Sequence, residues 1–282
     1  MNAPLDLAGL LVDVRRIAEA AGREIMAIFR DEARWQVQHK EDASPLTAAD
    51  LAAHQIITAG LAALTPAIPV ISEESEAIPV AQRRSWSRCW LVDPLDGTKE
   101  FIARSREFTV NIALVENGEA ILGLVHAPAL GLAYAAARGG GAFRIEAGVS
   151  RRLASAPLPA PGARPLRMVA SRRHRGARDA EFCACAEAAF GPLEFSTAGS
   201  AFKLCVVAEG EADIYPRFGP TMEWDTAAGQ VVVEEAGGAL IDEAGRPFRY
   251  NGRDTLLNGS FLVVGDAPEK WQALCARMRA PD

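Results

Sequence analysis

Zinc-type metal signatures and disulfide frameworks are missing from this chain. It has five cysteines (Cys89, Cys183, Cys185, Cys205 and Cys275), and none falls in a C-x-x-C pair. Cys183 and Cys185 stand at the wrong spacing for a zinc knuckle. The odd count points instead to idle thiols in a reducing compartment. Histidine is scarce too, and His39, His54 and His126 have no metal-ligand spacing. Positive charge is short: 30 Lys and Arg against 36 Asp and Glu leave a net charge of −6. That balance argues against a protein that grips a nucleic-acid polymer by bulk attraction. Small phosphorylated ligands remain compatible, because local basic groups or a bound cation can reverse the field inside one pocket. No apolar run approaches the roughly 20 residues that span a bilayer. The first residues carry Asp6 and lack a basic start followed by an apolar run, so no signal peptide is expected. A soluble, cytoplasmic protein is the expectation.

What is present is a globular composition, 49% hydrophobic and 23% charged, over 282 residues. That length suits one large domain or two moderate ones. Leu7, Leu11, Val14, Ala18, Ala21, Ile25 and Ile28 recur at helical spacing. A second helix is predicted from Thr47, with Asp50 at capping-box distance. Short apolar runs at 68–71 and 90–92 read as buried strands, each leading into acidic residues. Residues 108–143 have the period and turns of an antiparallel meander, ending at the flexible Gly139-Gly140-Gly141. Prolines 157, 159, 161 and 165 mark 156–165 as a connection between residues 1–155 and 166–282. Beyond it, strands near 167–170, 214 and 261–264 alternate with helices near 177–189, 201–209, 224–235 and 269–278. Helices layered on mixed and antiparallel sheets, an α/β fold, are the predicted architecture. Trp86 and Trp90 are expected in the core.

The chemistry gathers where strands end. Ile71-Ser72-Glu73-Glu74 places carboxylates just past an apolar strand, and Asp93-Pro94-Leu95-Asp96-Gly97-Thr98 does so again. Asp93 is expected to end its strand, with Pro94 removing an N–H and Gly97 permitting a tight turn. Two carboxylates, a carbonyl and nearby amide N–H groups suit Mg²⁺ and phosphate together. Taken alone, an Asp-Gly pair after a strand is an ordinary turn. Asp225 in Trp224-Asp225-Thr226-Ala227-Ala228-Gly229 could equally be a helix cap. Likewise Lys203, beside Leu204 and Val207 on a helix, could be a solvated side chain.

Together the three segments resemble the inositol monophosphatase superfamily of metal-dependent phosphatases. The Lys99-Glu100-Phe101 that follows Gly97-Thr98 is similar to its CysQ-type branch, the 3'(2'),5'-bisphosphate nucleotidases. Gly199-Ser200-Ala201-Phe202-Lys203 and the stretch 208–220 carry the same likeness, which runs over most of the chain. It implies a layered α/β/α/β/α sandwich and two or three Mg²⁺ per site. By position, Glu73, Asp93 and the Leu95 carbonyl would hold one ion, and Asp93, Asp96 and Asp225 a second. Glu73 would be the base partner of the attacking water. Thr98 would orient that water, backed by Asp50, and the amides of Gly97 and Thr98 would cradle phosphate. The implied substrate is 3'-phosphoadenosine 5'-phosphate, a small phosphorylated nucleotide, contacted by Ser200, Lys203, Arg217 and His174. The basic run Arg172 to Arg175 would tighten nucleotide binding or only decorate a loop. Inositol or fructose phosphate hydrolysis stands as the alternative within the fold, and a non-catalytic metal- or nucleotide-binding module as the alternative outside it. A homodimer, and peripheral attachment to the inner face of a membrane, stay open.

Overall fold

A computed structural model describes residues 5–39, 45–170 and 176–278. The chain opens with α1 (Leu7–Phe29), a two-residue ribbon of β1 (Gln38–His39) with β2 (Pro45–Leu46), and α2 (Ala48–Leu64). Then come β3 (Val70–Ser72), α3 (Val80–Arg84), β4 (Arg88–Asp96), α4 (Thr98–Ile102), β5 (Thr109–Glu116), β6 (Glu119–Ala127), β7 (Leu132–Ala137), β8 (Gly141–Glu146) and β9 (Val149–Arg152). After the proline-rich stretch follow β10 (Leu166–Ala170), α5 (Ala177–Phe190), β11 (Leu193–Thr197), α6 (Phe202–Ala208), β12 (Ile214–Arg217), α7 (Glu223–Glu235), β13 (Ala239–Asp242), β14 (Phe261–Val264) and α8 (Pro268–Met278).

Strands β3 to β9 form one seven-stranded sheet in sequential order. Only β3 and β4 run parallel; every later pair is antiparallel, as the meander pattern implied. The second sheet has five strands in the order β11-β10-β12-β14-β13. Alternation along β4 and β5 sorts the core by face. Trp90, Val92, Ile112 and Leu114 pack with α1 and α2, whereas Leu91, Ala113 and Val115 join a cluster with α6 and α7. That cluster also takes in Tyr215, Phe261 and Val263 of the five-stranded sheet, whose other face packs on α5 and α8 through Phe182, Trp271 and Leu274. The layers are therefore α1/α2, sheet, α6/α7, sheet, α5/α8, the predicted sandwich. Trp90 is fully buried and Trp86 packs against the core. All five cysteines are free. Among the described residues no helix is long and apolar enough to cross a membrane.

Helix α7 lies in the middle layer and presses closely on β6. At Gly123 a Cβ would fall inside contact distance of the Ala228 carbonyl oxygen, so only glycine lets the helix approach this far. The structure adds elements that periodicity did not reveal: α3, α4, β8, β9, β11 and β13. Residues 139–141 form the tight turn into β8 rather than a flexible tract, and the Glu235 carboxylate accepts the N–H groups of Gly139 and Gly141, both at 2.8 Å.

Candidate active site

Strand β4 does not stop at Asp93 as expected; it continues to Asp96 through Pro94. The reason is a bulge. Asp93 pairs with Asn111 and Asp96 with Thr109, so the three-residue step on β4 faces a two-residue step on β5. In a regular strand, residues three apart point to opposite faces. One extra residue restores the phase, and Pro94, lacking an N–H, suits the unpaired position. Asp93 and Asp96 consequently line one cleft of about 480 Å³. Glu73, just past β3, and Asp225, in the first turn of α7, line it as well, together with Leu95, Gly97 and Thr98.

The three aspartates feel the neighbouring acids. Asp93 is 1% exposed, and burial pushes its carboxyl well above the usual range, with the charges of Glu73, Asp96 and Asp225 adding to the rise. Burial likewise raises Asp225, reinforced by Asp96. Asp96 is pushed up to about 6 by burial, against the opposing pull of Lys203 and the Ala201 N–H.

Backbone N–H groups fix each of the three aspartates by one oxygen. Asp93 Oδ1 accepts from Leu95 at 3.0 Å, Asp96 Oδ2 from Ala201 at 2.5 Å, and Asp225 Oδ2 from Met222 at 2.8 Å. The second oxygen of each accepts no hydrogen bond among the described residues. Among the described residues no three His, Cys, Asp or Glu side chains stand close enough together to hold a metal ion as they are placed. The chemistry of the donor set nonetheless fits Mg²⁺. The donors are hard oxygens, carboxylates plus the Leu95 carbonyl, and their mutual repulsion in a buried cleft is relieved by cations.

Asp50 stands behind the cleft rather than in it. Its Oδ2 accepts from the Thr47 N–H at 2.7 Å and the Thr47 hydroxyl at 2.6 Å, completing a capping box on α2. Its Oδ1 accepts from the Thr98 hydroxyl at 3.1 Å. Cap and contact with Thr98 coexist. Asp225 is comparable, since its bond to the Met222 N–H closes the start of α7 while the carboxylate lines the cleft.

A second cavity of about 290 Å³ adjoins the first and shares Asp96, Asp225 and Arg217 with it. Lys203 lines it and is 6% exposed, so the solvated alternative is wrong: the ammonium lies 5.2 Å from the Tyr215 ring and donates to the Ser200 carbonyl at 2.7 Å. Burial lowers its pKa to about 8, with Asp96 opposing the fall. Ser200 also lines this cavity, but its hydroxyl lies 2.8 Å from the Asp96 carbonyl oxygen and 2.9 Å from that of Glu107. It staples the 199–203 turn to the β4 turn. The Arg217 guanidinium donates to the carbonyls of Gly219 and Pro220 at 3.3 and 2.9 Å. His174 and the run 172–175 lie outside the described residues.

Two residues were missed from sequence. Asn111 is fully buried opposite Asp93 and donates to Asp96 Oδ2 at 3.4 Å. Its signal was an amide inside the apolar run Val110-Asn111-Ile112. Lys99 lines both cavities, yet in the sequence it served only to mark a resemblance.

Residues 10–280 match the sequence profile of the inositol monophosphatase family. The chain belongs to that family. The 3'(2'),5'-bisphosphate nucleotidase CysQ of Escherichia coli is 45% identical over 254 residues, 90% of this chain and 99% of that protein. The CysQ nucleotidase of Haemophilus influenzae is 36% identical, covering 94% and 96%. Among solved structures, CysQ from Bacteroides thetaiotaomicron superposes with a TM-score of 0.80 at 37% identity, over 94% of this chain and all of that one. An inositol monophosphatase from Anabaena, 23% identical with a TM-score of 0.74, shares the fold.

Proposed function

We propose that the chain is a Mg²⁺-dependent phosphatase that hydrolyses the 3'-phosphate of 3'-phosphoadenosine 5'-phosphate, giving AMP and phosphate. The observation that carries this reading is the convergence of Glu73, Asp93, Asp96 and Asp225 on one cleft beside Lys203 and Arg217. Relatives named as bisphosphate nucleotidases support the substrate class. So does a further, mostly apolar cavity of about 290 Å³ lined by Met168, Phe195 and Phe218, which shares Tyr215 and Arg217 with the basic one. A purine needs such space; an inositol ring does not.

In this proposal residues 1–155 supply most of the metal site, and 166–282 supply Asp225 and the substrate contacts. Glu73, Asp93 and the Leu95 carbonyl would hold one Mg²⁺, and Asp93, Asp96 and Asp225 another. Bound there, Mg²⁺ would activate water and neutralise charge on the phosphate and leaving oxygen. Thr98, its proton engaged by Asp50, presents a hydroxyl oxygen that accepts from the attacking water and aims it. Glu73 takes that water's proton as the new bond to phosphorus forms and the bond to the 3'-oxygen breaks. The 3'-oxygen leaves with a proton from solvent. The amides of Gly97 and Thr98 orient phosphoryl oxygens, and Gly97, with φ of 94°, can make that turn without strain. Lys203 and Arg217 neutralise the second phosphate.

Phosphate release from 3'-phosphoadenosine 5'-phosphate, inositol 1-phosphate and fructose 1,6-bisphosphate, with and without Mg²⁺, tests the proposal. The expected result is at least a tenfold preference in kcat/KM for the nucleotide, about 1.4 kcal/mol, and no turnover in chelator. A tenfold preference for inositol phosphate overturns the substrate assignment.

A further inference from the structure

Residue Glu223 opens α7 two positions before Asp225, and its side chain is fully buried. Its carboxylate accepts the Asn251 N–H at 2.6 Å and an Arg253 guanidinium N–H at 3.0 Å. The residue capping α7 is Met222, whose side chain offers no oxygen to the first turn. Besides the Asp225 bond to the Met222 N–H, the turn is gripped from outside. The Glu223 N–H donates to the Leu256 carbonyl at 2.9 Å, and the Asn258 side-chain amide donates to the Met222 carbonyl at 2.7 Å. The same loop is tied to α3. Arg83, 2% exposed, donates to Asn251 Oδ1 at 3.1 Å and to the carbonyls of Arg253 and Asp254 at 2.6 and 2.7 Å; the Asn251 amide returns a bond to the Arg83 carbonyl at 2.6 Å. Helix α3 follows the segment that starts at Glu73. One buried polar network thus joins the chain after Glu73 to the turn before Asp225.

We propose that Glu223, through Asn251, Arg253 and Arg83, is a positioning residue for the metal-binding carboxylates, holding the first turn of α7 so that Asp225 meets Glu73, Asp93 and Asp96. The inference rests on the reading of Asp225 as a metal ligand given above. A buried ion pair adds little net stability over an apolar pair of the same shape, whereas its hydrogen bonds fix direction. Direction is what two carboxylates from distant segments need if they are to share a cation. Groups that orient metal ligands from behind are worth roughly 10- to 100-fold in metal affinity.

Calorimetric titration of Mn²⁺ into wild type, E223A and E223Q tests this without any substrate. Thermal melting in chelator and steady-state kinetics accompany it. Mn²⁺ binding in E223A should weaken about tenfold or more, and the Mg²⁺ concentration for half-activation should rise by a similar factor. KM at saturating Mg²⁺ should stay within about twofold, and E223Q, which keeps the acceptor for the Asn251 N–H, should recover much of the affinity. Wild-type Mn²⁺ affinity in a folded E223A, whatever its melting temperature, overturns the proposal. If E223A does not fold, Asn258→Ser, which releases the Met222 carbonyl, takes its place with the same expected weakening. A wild-type chain that binds Mn²⁺ but hydrolyses no phosphate ester refutes the proposed activity, while the variant titrations still decide this inference. A wild-type chain that binds no Mn²⁺ overturns both.

Discussion

Replacing Asp96 by asparagine should kill turnover and yet stabilise the metal-free protein. The Asp96 carboxyl is held at about 6 in the folded chain, against an ordinary value of 3.8, chiefly by burial. A pKa raised on folding means that the folded state keeps its proton where the unfolded state has lost it. Below about pH 4 both states are protonated and no penalty exists. As pH rises from about 4 to about 6, stability falls, and above that the full penalty remains. Two pH units at about 1.4 kcal/mol each give roughly 3 kcal/mol. The net gain on substitution is smaller, because Lys203 loses the charge that opposes its own burial. The asparagine carbonyl can still accept from the Ala201 N–H, so the turn keeps its shape. In chelator at pH 7.5, D96N should therefore melt a few degrees above wild type. At pH 4 the two should nearly coincide. Millimolar Mg²⁺ should raise the melting point of wild type and do much less for D96N. Scanning calorimetry at both pH values, with and without Mg²⁺, provides the check. A D96N protein destabilised equally at both values, or one stabilised by Mg²⁺ as strongly as wild type, would falsify the account of repelling carboxylates relieved by cations.

The remaining predictions separate roles that overlap in the structure. Thr47→Ala removes half of the α2 capping box and should cost about 1 kcal/mol in denaturant titration, with kcat changed less than threefold. Thr98→Ala leaves the cap intact and should lower kcat by about 100-fold at little cost in stability; equal losses in both variants would refute the assignment. Arg217→Ala should reduce kcat/KM for the bisphosphate nucleotide by about 10- to 100-fold, the worth of one charged hydrogen bond, and leave inositol 1-phosphate hydrolysis nearly unchanged. Gly123→Ala forces β6 away from Ala228 and should destabilise the protein by about 1–3 kcal/mol, measured as a lowered denaturation midpoint.

Much of this was legible in the sequence because each signal was local. Helix α1 follows from its apolar spacing and the meander from its period and turns, which together pointed to helices layered on sheets; the five-layer order came only with the family resemblance. Acidic residues after short apolar runs marked the cleft. The bulge in β4 was not legible, because a proline after an aspartate reads as a strand stop; only pairing with β5 shows that the strand resumes. Lys203 was left with two readings for a similar reason. Its helix has apolar neighbours, but whether the ammonium meets water or the Tyr215 ring depends on β12, a strand distant in sequence. Asp50 and Asp225 carried two readings that local spacing could not separate: each caps its helix, and besides that Asp50 meets Thr98 while Asp225 lines the cleft.

Strand β14 is the last of its sheet to be made, yet it lies inside it, hydrogen-bonded to β12 on one side and β13 on the other. A growing chain therefore cannot close the five-stranded layer, or support the helix bearing Asp225 from that side, until residue 264 has been synthesised and threaded home. Fragments ending near 240 should contain every proposed metal ligand and still bind cations poorly. On that assignment, the ability to do chemistry would arrive only late in synthesis.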